Sequence, residues 1–350
     1  MTKNADTQFD TISSHKSWFN TWLEAFGDTN CGIWYANNKN LVLIPYCKKR
    51  MQLGPLSISI AASATNDHTP RYDIIGKLKD PAYSFNKMMQ HLRVHALSFS
   101  YVSHSSRLFT SIENNPLNLF YFNDFCEVSP YVDCTIDWDT YWQSRGKTKA
   151  TWRRREKKLI DDLGAQFRCI TTWEEAKTLL PTIYDIEASG WKGQEGTAIK
   201  QNKDVLLFYN KIAKVWSNEN ALRLFVLSLN DQIIAFQLNA EYNRVLYHVK
   251  VGFLDEYAKL SPGQALQVQI LRWAFANTDI DKFDLLGGGG KAAETKMKWA
   301  THIETLFTTY VFKRSFAGFV IWLRIVLAPN LKRRLLRKKP KQPPMLTHPV

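Results

Sequence analysis

Residues 247–266 read YHVKVGFLDEYAKLSPGQAL. Val245–Phe253 has the β-branched and aromatic content of a strand. Asp255, Glu256 and Tyr257 then form an acidic, aromatic loop, and Ser261-Pro262-Gly263 opens a helix predicted over 263–277. Serine is a good N-cap, proline suits the first helical position, and glycine leaves room for close approach. The first N–H groups of a helix are unpaired and lie at the positive end of its dipole, which makes such a start an anion site. Two readings stand: a capped turn, or a cradle for a phosphate-bearing ligand.

Working outward, three strands are predicted in succession over 222–229, 233–241 and 245–253. Their turns contain Asn230-Asp231 and Tyr242-Asn243, which spells an antiparallel meander. After the helix come a short strand, DKFDLL, four glycines at 287–290, and a last strand, ETLFTTYVFK. Before the meander, WEEAKTLLPTIYDIEAS is helical with an interruption at Pro181, and DVLLFYNKIAKVWSNE has apolar residues at helical spacing. This second region spans 141–314. In a first region, 17–140, CGIWYA, LVLIPYC and GPLSISIA read as hairpin strands, followed by a helix with Phe85, Met88, Met89 and Leu92 on one face. Residues 1–16 are expected to be disordered, and 315–350 to form an apolar and basic helix and tail. The fold class is α+β, two units of similar size with mixed, mostly antiparallel sheets.

The net charge of +14 is uneven. From residue 313 onward there are ten Lys or Arg and no acid, and residues 144–158 carry eight basic residues against Glu156 alone, which leaves the rest slightly acidic. Such patches attract phosphate, anionic lipid or nucleic acid, or are solvated faces. Trp152, Leu159 and Leu163 share the apolar face of the 144–158 helix and its continuation. No stretch matches a membrane span, which needs about 20 apolar residues. No basic and then apolar leader opens the chain, so a cytoplasmic protein is expected, at most peripheral at the inner face of the membrane. The five cysteines are scattered without a C-x-x-C, which fits reduced thiols rather than a disulfide frame or a zinc site. His91 and His95 lack a third ligand and read as packing residues, so no metal is expected.

The order of three meander strands, a loop, a helix opening at glycine and a later strand resembles the GNAT acyltransferase core. In that family the helix start holds the pyrophosphate of acyl-CoA through Arg/Gln-x-x-Gly-x-Gly/Ala. In LSPGQA, Gly263 and Ala265 match that pattern, and Leu260 stands where it has a basic or amide residue. SRGKTKATWRRREKKLIDDLGA, IEASGWKGQEGTAI, FLDEYAKLSPGQAL and FDLLGGGGKAAETKMKWA follow the order seen in CelD-type acetyltransferases. Those are tandem-GNAT proteins associated with cellulose and exopolysaccharide synthesis, related in fold to Fem-type aminoacyl transferases. The resemblance covers about residues 30–320 and is strongest from Tyr141 onward.

The resemblance implies tandem GNAT-like domains and acetyl-CoA or another acyl-CoA as co-substrate. Ser261, Gly263, Gln264 and Ala265 would meet its phosphates, and the Val249 backbone on the fourth core strand its acyl carbonyl. His248 has the pKa range of a base, or is a structural strand histidine. Asp255 and Tyr257 flank the cofactor loop and either relay a proton or fix the loop. Glu187, Trp191 and Lys192 resemble the family signature and would line the acceptor pocket, with Trp191 alternatively a core anchor. Lys296 resembles the lysine that faces the transferred group in Fem-type enzymes. Asp284 reads as a strand-end anchor. The implied activity is acyl transfer, most simply of acetyl, to an amine or hydroxyl of a sugar or envelope precursor, by direct attack in a ternary complex. Two alternatives stay open. One is a Fem-like transferase fed by aminoacyl-tRNA, with RNA phosphates on the basic helix. The other is a non-catalytic scaffold docked on an anionic membrane or a synthase complex through the tail.

Overall fold

The computed structural model describes residues 11–38, 40–53, 56–115, 120–287 and 290–328. Gly288, Gly289 and the basic run beyond residue 328 lie outside them. The described residues form two compact units, 11–128 with 304–328, and 129–303.

The first unit opens with α1 (Lys16–Phe26) and the strands β1 (Cys31–Asn38), β2 (Asn40–Leu53) and β3 (Leu56–Ser63). These form an antiparallel meander. Helix α2 (Pro81–Leu92) follows, then β4 (Ala96–Ser103), which pairs in parallel with β3. A short helix α3 (Arg107–Glu113) leads to β5 (Tyr121–Asp133), whose end belongs to the second unit. Within 1–16, expected to be disordered, Ile12 and Ser13 are buried, and the Ser13 hydroxyl donates to the Arg71 carbonyl.

The second unit continues through α4 (Trp138–Ser144), the basic α5 (Thr148–Lys157) with a wider turn over Lys158–Asp162, and β6 (Gln166–Ile170). Next come α6 (Trp173–Ser189), α7 (Trp191–Gln194) and α8 (Lys203–Asn218). The meander β7 (Leu222–Leu229), β8 (Gln232–Tyr242) and β9 (Val245–Phe253) has positive φ at Asn230, Asp231, Asn243 and Arg244. Two such residues per turn match the twist of the flanking strands. Helix α9 (Pro262–Ala276), β10 (Lys282–Asp284) and α10 (Gly290–Trp299) complete it. β10 is parallel to β9 and antiparallel to β5. Each unit therefore repeats one plan: a three-strand meander, a helix, then a strand parallel to the last of the three. The rest of the sheet pairing is antiparallel, as expected.

The last strand, β11 (His302–Phe312), is expected in the second region and instead pairs with β4. α11 (Phe316–Trp322) follows and buries Ile321 against Ile58, Ile60 and Phe312 while Phe316 stays exposed. Among the described residues no helix is long and apolar enough to cross a membrane.

Four local expectations are corrected. Cys31 and Cys47, sixteen residues apart, are directly opposite in the β1–β2 register and form a disulfide. Strand register brings them together, not a spacing motif. Pro181 does not interrupt α6, which runs from Trp173 to Ser189. Leu163 is exposed, because the helix carrying Trp152 and Leu159 widens after Lys157 and turns it outward. Ser261 sits in the left-handed region (φ 54°, ψ 52°) and makes no side-chain cap, although Pro262 does open the helix.

Gly252 is where α6 crosses β9. A Cβ there would stand 2.6 Å from Phe236 Cε1 and 3.3 Å from Glu187 Cα. Gly196, by contrast, needs its glycine only for φ +73°, with open space around it. Gly252→Ala is expected to cost about 1–3 kcal/mol by overpacking, and Gly196→Ala about 1 kcal/mol by backbone strain. Urea unfolding midpoints of the two variants check the order.

Candidate active site

β9 and β10 run side by side only briefly, Val245 opposite Lys282 through Tyr247 opposite Asp284. Asp284 then anchors the departing chain. Its buried carboxylate accepts from the Ser129 hydroxyl (3.0 Å) and the Leu286 N–H (2.9 Å), and the Leu285 N–H turns to the Pro130 carbonyl (3.0 Å). β9 continues to Phe253, so from His248 onward its β10-side edge has no strand partner, a gap in the pairing. At that point β9 also bulges. His248 pairs with Asn239 and Lys250 with Leu238, which leaves Val249 as the extra residue. A bulge residue stands outside the ladder and bends its strand.

His248 stands at the mouth of the gap. It is buried, its ring lies 6.3 Å from that of Phe283, and its Nδ1 has no hydrogen-bond partner. Burial, then the nearby charges of Lys296 and Lys192, hold the imidazole well below its usual pKa, so it is neutral at pH 7. Lys296 projects from α10 and donates to the carbonyls of Leu286 (3.3 Å) and Gly287 (2.8 Å).

A row of buried amides adjoins the histidine. Asn239 Nδ2 donates to Gln237 Oε1 (3.1 Å), and Gln237 Nε2 donates to Gln267 Oε1 on α9 (3.0 Å). Asn239 Oδ1 and Gln267 Nε2 are buried without partners. Orphaned buried polar atoms beside a gap call for a bound water or a polar ligand group.

Across β9, Glu187 ends α6 with its carboxylate sealed from solvent. It pairs with Lys192 (2.8 Å), lies 3.8 Å from Lys250, and accepts from the Ile199 N–H (2.8 Å). Lys192 also donates to the Val251 carbonyl (3.4 Å), and Lys250 lies 5.2 Å above the Tyr209 ring. Burial, then the charge of Glu187, push the Tyr209 hydroxyl well above the usual phenol range. Trp191 opens α7 next to Lys192; its side chain lies outside the described residues.

The loop residues stand elsewhere. Asp255 is exposed on the turn Asp255–Leu260, with Oδ1 3.7 Å from where a Cβ on Gly190 would lie. The Tyr257 hydroxyl donates to Gln232 Oε1 (2.9 Å). Gln232 is seven residues along β8 from Asn239, the partner of His248. At about 3.3 Å per residue that is roughly 20 Å, so Tyr257 and His248 are not brought together.

At the start of α9 the amides of Gln264 and Ala265 turn back to the Ser261 carbonyl (3.0 and 3.3 Å). Pro262 has no N–H, which leaves the Gly263 amide as the outward donor of the first turn. A Cβ on Gly263 would meet only Phe253 Cδ1, at 3.4 Å. Leu260, half-buried, packs against the apolar core. α5 brings a charge to the helix start. Arg155 Nη1 donates to Gln264 Oε1, while Glu156 binds Gln269 (2.7 Å) and Arg272 (3.0 Å) along α9. Trp152 stacks on Trp299 at 3.4 Å, which fixes α5 further. Arg153, Arg154, Lys157 and Lys158 stay exposed, whereas Arg145 is buried, donating to the Ala300 carbonyl (2.6 Å). Sequence reading missed Arg155 and the amide row, because only tertiary packing relates them to the strand and helix they serve.

A parallel strand pair that parts beside a bulge, with a helix opening nearby, is the geometry of one fold. The fold is GNAT-like. Residues 146–295 match the family model described as Acetyltransferase (GNAT) domain. Among solved structures, FemX is similar at 9% identity over 91% of this chain and 95% of that one, with TM-score 0.60. A conserved protein of unknown function from Bacteroides thetaiotaomicron gives 11% identity, 88% and 93% coverage and TM-score 0.58. L-PGS from Bacillus licheniformis gives 11%, 94% and 98%, and 0.53. At these identities the likeness is one of fold. No curated protein matches the sequence. Among the described residues no cluster of three or more His, Cys, Asp or Glu is placed to hold a metal ion.

Two predictions follow from the buried charges. His248 has a depressed pKa in the folded state, so below about pH 6.5 the unfolded chain binds the extra proton and stability falls with pH. Wild type should lose about 1.4 kcal/mol per pH unit more than His248→Gln from pH 6.5 downward, read from unfolding at successive pH values. Asp73, pushed up to about 7 by burial, contributes with the opposite sign, its stabilisation being lost as pH rises through 7. That contribution is common to both proteins and cancels. Separately, Glu187→Ala strands Lys192 and the Ile199 N–H, and should cost about 3–5 kcal/mol in the same measurement.

Proposed function

We propose that the chain is an acyltransferase that moves an acyl group, acetyl in the simplest case, from acyl-CoA to an amine or hydroxyl of a sugar or cell-envelope precursor. The observation that carries this reading is the corner of β9 and α9, where the unladdered Val249 borders the gap and Arg155 attends the helix start. In this reading the Gly263 amide and the Ser261 and Gln264 side chains receive the pyrophosphate, and Ala265, like Gly263, keeps the helix start free of bulk. Arg155 supplies the cationic donor that Leu260 cannot, in a charge-assisted bond. The Val249 N–H donates to the thioester carbonyl, polarising it as charge develops. Glu187, Trp191 and Lys192 bound the acceptor, and Asp255 and Tyr257 hold the loop. The four ordered motifs resembling CelD-type acetyltransferases support a polysaccharide-related acceptor.

Chemistry follows in one ternary complex. The acceptor amine or hydroxyl attacks the carbonyl carbon and passes its proton to the neutral His248. The tetrahedral intermediate collapses with loss of the CoA thiolate, which recovers the proton from His248. Lys296 stands on the side of the transferred group. A covalent route through cysteine is disfavoured, since burial pushes the Cys134 and Cys169 thiols up to about 12 and about 11.

A second reading draws on the exposed cations of α5 beside the α9 start, which suit an aminoacyl-tRNA donor. Peripheral contact with an anionic membrane through α11 and the basic tail is compatible with either reading, and the exposed Phe316 and Phe319 support it.

Calorimetric titration separates the donors. Acetyl-CoA should bind the wild type, fail with Gly263→Trp, and bind Arg155→Gln about tenfold or more weakly. Initial-rate plots with two substrates should intersect rather than run parallel. No binding of any acyl-CoA, together with salt-sensitive binding of deacylated tRNA, would favour the second reading instead.

A further inference from the structure

The first unit holds a cavity of about 330 Å³ between β1, the start of β2 and α2. That is within the usual span of small-molecule pockets, about 300–1,000 Å³. Its walls include Trp34, Tyr35, Lys77, Lys79, Tyr83 and Lys87.

The lining is positive. The one carboxylate in it, Asp80, is committed to α2, where it accepts from the Tyr83 N–H (2.9 Å). Lys77, Lys79 and Lys87 are exposed and form no ion pair among the described residues. The lining is also aromatic. Tyr35 and Tyr83 are each 53% exposed, unusual for rings of this size in a folded unit.

α2 occupies the same place in its unit's plan as α9 does in the other, after the third meander strand and before the parallel one. The two starts are chemically opposite. Asp80 already fills the positive end of α2, so a phosphate there would meet a carboxylate. The cavity is therefore not a second copy of the α9 site, and its anion must be held by lysines.

We propose that this cavity binds an anionic sugar. A pyranose offers apolar C–H faces to Tyr35 and Tyr83, and a carboxylate or phosphate to the lysines.

Calorimetry on the full chain tests this with an oligoglucuronate, glucose 6-phosphate, cellotetraose and adenosine monophosphate. Saturable binding is expected for at least one acidic sugar, weakening as salt rises, with cellotetraose about tenfold weaker or undetectable. Which acidic sugar binds tells carboxylate from phosphate. Tyr83→Ala and Lys87→Gln alter exposed side chains, so folding should survive, as an unchanged Tm would verify. Each should weaken binding about three- to tenfold, while Gly263→Trp should not. The proposal is overturned if neither acidic sugar binds, if cellotetraose binds equally well, if adenosine monophosphate binds more tightly than both, or if neither cavity substitution changes affinity in a folded protein.

Discussion

The second unit is organised by the early parting of β9 from β10. Two parallel strands that stayed paired would satisfy each other's backbone and seal the sheet. Here Asp284 takes the Ser129 hydroxyl and the Leu286 N–H, and β10 ends opposite Tyr247. The bulge at Val249 falls where the parting starts, so one stretch of β9 loses a neighbour on one edge and regular pairing on the other. An unsatisfied backbone is costly in a core, but at a gap it can bind a ligand. His248, the amide row and Lys296 all gather at that gap.

Electrostatics around the parting follow from packing. Among the described residues α5 is the most basic helix, yet Glu156 is buried in it and binds Gln269 and Arg272 of α9. That lock, with Trp152 on Trp299, sets Arg155 against Gln264 at the α9 start. Leu260 brings no charge to the helix start, and Arg155 does. The first unit repeats the strand plan without these features. Its helix is capped by its own Asp80, and its cations line a separate cavity.

The meander, the β9–α9 corner and the α+β class were legible in the sequence because their signals are local. Turn residues that tolerate positive φ, alternating apolar residues and Pro262-Gly263 each act within a few positions. What was hidden depends on register and tertiary contact. Cys31 faces Cys47 only because β1 and β2 pair with a particular offset. β11 joins β4, far away in sequence. Arg155 is one of eight basic residues over 144–158, and nothing in its spacing distinguishes it from Arg153, which points to solvent, or from the buried Arg145. Ser261 suited a cap by type, yet the chain reverses there in the left-handed region and its side chain caps nothing.

The central claim is that the open edge of β9 and the start of α9 form one donor site. Amide NMR of the deuterated protein, titrated with acetyl-CoA, tests it most directly. The account predicts that the Val249 and Gly263 amide signals shift together, saturating at one common affinity. Val249 and Gly263 signals that stay in place at saturating acetyl-CoA, whether or not others move, would contradict it.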